Sequence, residues 1–133
     1  MIEIGQSATR TRVVRHEDIE RFTDITGDRN PLHYDPDRAR QTRFGRVIVQ
    51  GGVTSGLLNA VVAEDLPGPG SVFLNVNWDV LAPVSPGDEI TARVEVLEVR
   101  PDKPIYRVAT TITNGADVVV LDGSAVVWRE PLG

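Results

Sequence analysis

Cysteine is absent from the 133-residue chain, which excludes disulfides, thiolate nucleophiles and cysteine-bound metals. Lysine occurs once, the 13 arginines are spread along the chain and the net charge is −5, which argues against the concentrated basic face that nucleic-acid binding requires. No apolar run approaches the roughly 20 residues that span a bilayer, and the N-terminus lacks the apolar stretch of a signal peptide. We therefore expect a cytoplasmic protein with no nucleic-acid partner and no membrane partner.

Histidine is also scarce, with only His16 and His33 in the chain. No cluster of histidines and carboxylates has the spacing of metal ligands, and no glycine-rich loop fits a nucleotide. We therefore expect no metal and no cofactor. His16 stands beside Arg15 and Glu17 at a predicted helix start, which indicates a surface position. His33 lies in the polar stretch GDRNPLH.

The first half of the chain predicts one strand and three helices. Residues 2–14 predict a short strand, and residues 15–26 predict a helix whose apolar residues recur at spacings of three and four. Asp35 before Pro36 predicts the start of a short helix, with the aspartate as its cap. Residues 51–63 are mostly small or aliphatic, which predicts a helix buried on most sides. The recurring residues of the first helix are Ile19, Phe22 and either Ile25 or Thr26.

The second half alternates polar and apolar residues, which predicts half-buried strands. Such strands fall at residues 71–84, 89–100, 105–114 and 118–129, and short turns join them into an antiparallel meander. A single apolar helix needs a surface that buries it, and a curved antiparallel sheet supplies one. We therefore expect one α+β domain over residues 1–133, with a long central helix wrapped by the sheet. In the first of these strands Val72, Leu74, Val76, Trp78 and Val80 are expected to face the core.

The stretch GDRNPLH has a structural interpretation and a chemical one. Asp28, Asn30 and Pro31 are common turn residues, and turn chemistry alone accounts for them. Turn chemistry does not account for His33. A carboxylate and an imidazole five residues apart, across a rigid Asn-Pro bend, can converge on one water and exchange its protons. Histidine suits this work because an imidazole gains and loses a proton near neutrality.

The region around this stretch resembles the signature of the R-specific enoyl-CoA hydratases, also called hydratase 2 or MaoC-like dehydratases. The similarity covers essentially the whole chain, including the turn and strand SPGDEITARVEV. It implies the hot-dog fold, in which an antiparallel sheet wraps a long central helix. The matching positions are Phe22, Ile25, Thr26, Gly27, Asp28, Asn30, Pro31, Leu32, His33 and Ala39.

The resemblance implies that Asp28 and His33 are the catalytic pair. They would activate a water for addition to the β-carbon of a trans-2-enoyl thioester and deliver a proton to the α-carbon. The product would be an (R)-3-hydroxyacyl thioester, and the reverse reaction is a dehydration. The acyl group would be carried by coenzyme A or by an acyl carrier protein. Asn30 would hold the loop of the substrate site rather than act on the substrate.

The start of the apolar helix is the best local source of donors for the thioester oxygen, which gains negative charge as water adds. Free backbone N–H groups and the helix dipole point there. The family usually has a His-Gly pair at this position, so the oxyanion role passes to Gly51, while Gln50 replaces the histidine. Gly52 and Ser55 are expected to contribute to the same substrate site. The alternatives are close packing of the two glycines against the sheet and a plain buried hydrogen bond for Ser55.

Three functions remain open at this point. The complete Asp-x-Asn-Pro-x-His motif favours hydration, but hot-dog thioesterases use a carboxylate and a helix N-terminus in a similar place. A non-catalytic acyl-binding subunit is the third.

Because hot-dog protomers pair side by side into a continuous sheet, we expect at least a homodimer. Four arginines after the motif either meet phosphates of the acyl carrier or form a solvated face: Arg38, Arg40, Arg43 and Arg46.

Overall fold

One antiparallel sheet of five strands packs on an apolar helix in the computed structural model, which describes residues 1–133. No helix has the length and apolar character needed to cross a membrane. The apolar helix, Gly51–Ala60, continues as a π-helical turn over Val61–Asp65. The strands are Ser7–Val13 (β1), Ser71–Val80 (β2), Glu89–Val99 (β3), Ile105–Asn114 (β4) and Val119–Arg129 (β5). The helices are His16–Thr26 (α1), Pro31–Tyr34 (α2), Pro36–Arg40 (α3) and Gly51–Ala60 (α4).

The order of strands in the sheet is β1-β3-β4-β5-β2, which corrects the predicted four-stranded meander. Strands β3, β4 and β5 form successive hairpins, but β2 pairs with β5 at the far edge instead of with β3. The reason is segment 81–88, which leaves the sheet where β2 ends. The segment starts on β5, where the Leu81 N–H donates to the Val120 carbonyl at 2.9 Å, and ends beside the residue that follows β1, where the Gly87 N–H donates to the Val14 carbonyl at 2.7 Å. Between these points the Val49 N–H donates to the Val84 carbonyl at 2.8 Å.

Strand β2 has a register irregularity between Phe73 and Asn75, so its side-chain alternation changes sides there. Phe73 packs against the core, while Val72 and Leu74 are each 55% exposed. The prediction that Val72 and Leu74 face the core is therefore wrong, because the extra residue shifts the alternation. Trp78 packs against the core as predicted, edge-to-face with Phe73 at a centroid distance of 5.8 Å.

The β2 edge of the sheet is uncovered in the single chain. Val76 and Val80 pair across the strands with the buried Ala125 and Leu121 of β5, so they lie on the core side of the sheet. They are nevertheless 45% and 67% exposed, and the prediction that they are buried is wrong for the single chain. An exposed apolar edge strand is a ready template for pairing with another strand.

Helix α4 buries one side against the sheet. Thr54 and Leu58 of α4 are 6% and 0% exposed, and Val61 and Val62 of the following turn are equally inaccessible. Close packing along this whole side fixes the position of the α4 N-terminus relative to the sheet. The sheet contributes alternate residues of its central strands to this core: Ile90, Ala92, Val94, Val96, Val108 and Ile112.

The predicted bounds of α1 are confirmed within one residue, and Gly27 ends it with a left-handed φ of 79°. Its buried side carries Ile19, whereas Ile25 is 82% exposed. Strand β1 is shorter than predicted, because the chain turns at Gly5 with a φ of 91° before the strand begins.

Asp18 ties α1 to β1. Its carboxylate is buried and accepts hydrogen bonds from the Arg12 guanidinium and, at 2.9 Å, from the Arg15 N–H. Burial alone would raise the pKa of the Asp18 carboxyl, but these hydrogen bonds outweigh it and hold the pKa below its ordinary value. The charged carboxylate therefore fixes the first turn of α1 against the edge strand that precedes it.

Candidate active site

The polar residues after α1 fold back into the one-turn helix α2, which the sequence pattern did not predict. Oδ1 of Asp28 accepts a hydrogen bond from the Asn30 N–H at 3.0 Å, and Oδ1 of Asn30 accepts one from the Leu32 N–H at 3.1 Å. Pro31 occupies the first position of α2, where a missing N–H costs nothing. The turn therefore uses Oδ1 of Asp28 as a hydrogen-bond acceptor and leaves Oδ2 free for other contacts.

His33 is held with one ring nitrogen facing Asp28. Its Nδ1 lies 2.7 Å from the Ile48 carbonyl, and because a carbonyl only accepts, Nδ1 carries the proton. In the neutral ring Nε2 is then an acceptor, 3.8 Å from Oδ2 of Asp28. This gap exceeds a hydrogen bond, but one oxygen atom can lie about 2.8 Å from both groups. The imidazole is 9% exposed and the carboxylate 38%, so the pair is partly accessible.

Thr23 connects the Asp28 loop to the start of α4. Its hydroxyl donates to the Asp28 carbonyl at 2.7 Å, so it accepts from the Tyr34 hydroxyl and from Nε2 of Gln50, the latter at 3.2 Å. Nε2 of Gln50 also donates to the Ile19 carbonyl at 3.2 Å. The Gln50 side chain is 2% exposed and its Oε1 has no partner. It therefore links α4 to α1 from a buried position.

The two glycines at the start of α4 have different surroundings. Gly51 is exposed, and a Cβ added to it would meet nothing within 4 Å. A Cβ on Gly52 would lie 2.2 Å from Cζ of Phe22. Close packing at this helix end is therefore made by Gly52, against α1 rather than against the sheet. The N–H of Gly51 is one of the unpaired donors of the helix N-terminus.

A cleft of about 310 Å³ opens beside Gly51 and His33. Thr54 also lines it, and sequence reasoning missed this residue. The available signal was its spacing, because Thr54 follows Gly51 by three residues and so shares its side of the helix. Asp28 adjoins the cleft through its contact with His33. Arg43 lines the cleft as well. The remaining lining residues are apolar: Phe44, Ile48, Val49, Val80, Leu81, Ala82, Pro83 and Val84.

Four residues expected at the substrate site lie near the cleft without lining it. Asn30 caps α2, and Gln50 contacts α1. Gly52 packs on Phe22, and Ser55 is half-buried on α4. The first three instead hold the loop and the helix that carry Asp28, His33 and the N–H of Gly51.

A larger groove, of about 730 Å³, lies between β1, α1 and another side of α4, where Arg12 and Leu57 line it. It contains none of Asp28, His33 or Gly51. We place the candidate site in the smaller cleft, because convergent reactive groups decide the chemistry and volume does not. No three histidine or acidic side chains lie together in a group that could hold a metal ion.

Comparison with known proteins relates this arrangement to a family. Residues 2–118 match the model of the MaoC like domain. The 3-hydroxybutyryl-CoA dehydratase of Methylorubrum extorquens is 40% identical over 126 residues, which are 95% of this chain and 80% of that protein. The (R)-specific enoyl-CoA hydratase of Aeromonas caviae is 37% identical over 126 residues, which are 95% of this chain and 94% of that protein.

Among solved structures, the (R)-hydratase from A. caviae involved in PHA biosynthesis matches this chain with a TM-score of 0.92 and 36% identity. The match covers 97% of this chain and 98% of that one, which confirms the predicted hot-dog fold. The chain therefore belongs to the MaoC-like family of R-specific enoyl-CoA hydratases and 3-hydroxyacyl thioester dehydratases.

Proposed function

We propose that this hydro-lyase adds water to trans-2-enoyl thioesters to give (R)-3-hydroxyacyl thioesters, and catalyses the reverse dehydration, through Asp28 and His33. One observation carries the assignment: Nε2 of His33 faces Oδ2 of Asp28 across 3.8 Å. The pair adjoins a cleft that reaches the N-terminus of α4. Relatives at 37–40% identity named for this reaction support it.

A single water between Asp28 and His33 accounts for the chemistry. Because Nδ1 of His33 donates to the Ile48 carbonyl, Nε2 carries the free lone pair that accepts a water proton. As that proton leaves, the water oxygen bonds the β-carbon of the enoyl group. The pair then returns a proton to the α-carbon, so the side chains end as they began and the product has gained one water.

The N–H of Gly51 stabilises the charge that this addition creates. Electron density moves onto the thioester oxygen as the β-carbon is attacked, and a fixed donor lowers the energy of that state. Gly51 is the first residue of α4, so its N–H is unpaired and lies at the positive end of the helix dipole. No side chain of this residue obstructs an approaching oxygen.

Asn30, Gln50 and Gly52 serve this site by holding it. The cap made by Asn30 and the buried amide of Gln50 fix the loop and the helix, and Gly52 allows α1 to approach α4. Preorganisation of this kind lets the reactive groups meet the substrate without rearrangement. Thr54 stands where a thioester would enter, whereas Ser55, one residue further along α4, does not line the cleft.

A second copy of the chain completes the assembly through β2. The edge strand exposes Val72, Leu74, Val76 and Val80 on its two faces, and an unpaired apolar edge favours strand pairing between copies. Val80 also lines the cleft. A partner on this edge would therefore border the substrate, which is an acyl thioester of coenzyme A or of an acyl carrier protein.

The stereochemistry of the product tests the assignment. Crotonyl-CoA is incubated with the protein, the thioester is hydrolysed, and the 3-hydroxybutyrate is resolved on a chiral column. We expect the R enantiomer in large excess. The S enantiomer would contradict it, and free coenzyme A already present before the hydrolysis step, together with crotonate, would indicate a thioesterase instead.

A further inference from the structure

The four arginines after the catalytic motif are not equivalent. Nη1 of Arg40 lies 3.2 Å from Oδ1 of Asp37, and Nη2 of Arg46 lies 3.3 Å from Oδ2 of Asp88. The other two arginines, Arg38 and Arg43, form no ion pair within the chain. Only these two therefore have a guanidinium that no carboxylate of the chain pairs with.

Of these two, only Arg43 lines the catalytic cleft together with His33. Arg38 lies instead beside Asn30 and Gln41 on another part of the surface. The guanidinium of Arg43 sits 5.0 Å from the centre of the half-buried Phe44 ring. Such a cation–π contact favours one position for an otherwise mobile side chain. Arg43 thus presents an uncompensated positive charge at the edge of the cleft.

We propose that Arg43 binds the phosphate of the phosphopantetheine arm that carries the acyl group, an inference that rests on the proposed function. With the thioester at Gly51 and the catalytic pair, the arm must leave the cleft past its exposed residues. Arg43 is the only charged side chain that lines the cleft. A planar guanidinium suits a phosphate through two parallel hydrogen bonds.

The net charge of the chain makes this assignment specific. At −5, the protein as a whole repels an anionic carrier, so productive binding depends on a local cation. Coenzyme A and acyl carrier protein share the arm phosphate. Arg43 therefore serves either carrier, whereas contact with the nucleotide part would serve coenzyme A alone.

The test compares Arg43→Ala with Arg38→Ala, which removes the same charge from an exposed, unpaired arginine away from the cleft. The substrates are crotonyl-CoA, crotonyl-4′-phosphopantetheine and crotonyl-pantetheine, which lacks phosphate. We expect Arg43→Ala to raise KM about tenfold for the first two, the low end for a charged hydrogen bond, with kcat nearly constant. We expect no selective effect on crotonyl-pantetheine, partial rescue by Arg43→Lys and no change from Arg38→Ala.

Two results would overturn the inference while leaving the hydratase assignment intact. Either Arg43→Ala behaves like Arg38→Ala on every substrate, or its effect is confined to crotonyl-CoA, which would place Arg43 at the nucleotide. Relative kcat/KM on crotonyl-CoA and on crotonyl-loaded acyl carrier protein identifies the carrier that supplies the arm. Calorimetric titration with 4′-phosphopantetheine needs no turnover and decides the inference even if hydration is absent: Arg43→Ala, and not Arg38→Ala, must weaken binding.

Discussion

Nε2 of His33 and Oδ2 of Asp28 are 3.8 Å apart, and each group is fixed from behind by the backbone. The Ile48 carbonyl holds the opposite side of the imidazole, and the Asn30 N–H holds the other carboxylate oxygen. The two free atoms therefore face the same point, where one oxygen atom to the side of both can lie about 2.8 Å from each. The predictions below follow from this arrangement and from the elements that maintain it.

We expect Gly51→Ala to lower the rate of hydration and Gly52→Ala to lower the stability of the fold. Gly51→Ala has open space around its new Cβ and gains helix propensity, so we expect no loss of stability. The methyl group would crowd an oxygen that approaches the N–H, and we expect hydration to fall at least tenfold. Gly52→Ala places Cβ against the Phe22 ring and should cost about 1–3 kcal/mol. Thermal unfolding and crotonyl-CoA turnover of both variants check this, and equal stability losses would contradict it.

Replacement of Gln50 should affect stability more than substrate affinity. Gln50→Met keeps the volume but removes the donor to the Ile19 carbonyl and to the Thr23 hydroxyl. We expect a loss of about 1 kcal/mol, the net value of an ordinary hydrogen bond, with KM within twofold of wild type. Urea unfolding and steady-state kinetics are the measurements. A raised KM at unchanged stability would instead indicate that the amide contacts substrate.

Much of the site follows from local sequence, because its parts are short-range. Asp28 and His33 are five residues apart around Pro31, so their approach depends on one turn. Asp35 caps α3 as predicted, accepting from the N–H groups of Asp37 and Arg38 at 3.1 Å. Signals of this kind involve neighbours in the chain, so they can be predicted without knowledge of the fold.

The position of β2 in the sheet could not be predicted from local sequence. Its partner is β5 and not β3 because segment 81–88 runs from β5 to Val49 and Val14, residues far away in sequence, before β3 begins. The irregularity after Phe73 then changes which valines face the core, and regular alternation gives no sign of it. Thr54 was missed for a related reason, since the cleft is defined by where segment 81–88 crosses α4.

Asp18 should make stability depend on acidic pH. The folded-state pKa of Asp18 is lowered, so its contribution is complete above the ordinary value of about 3.9 and is lost as pH falls through the folded value. Asp18→Asn should be about 1–3 kcal/mol less stable at pH 7, and the difference should begin to shrink as the pH falls below about 4. The exposed Asp24→Asn is the matched control. Free energies of unfolding from pH 7 to pH 3 check this, and a constant difference would contradict it.

The β2 edge should govern oligomeric state. We expect wild type to sediment at twice the 14.5 kDa of one chain, and Val76→Asp to dissociate because it places a charge on the paired apolar edge. Ile25→Asp is the control, since Ile25 is more exposed and lies on α1. Sedimentation velocity at micromolar protein distinguishes them. A monomeric wild type, or equal behaviour of both variants, would refute pairing through β2.

The catalytic pair is tested most directly by the enoyl-thioester absorbance of crotonyl-CoA, followed together with a free-thiol assay. We expect wild type to remove the enoyl signal without releasing thiol. Asp28→Asn and His33→Gln should each lower kcat by about 10² or more, the scale of a general acid–base group, while the exposed His16→Gln should not. Release of thiol, or full activity in either variant of the pair with its fold intact, would contradict the account.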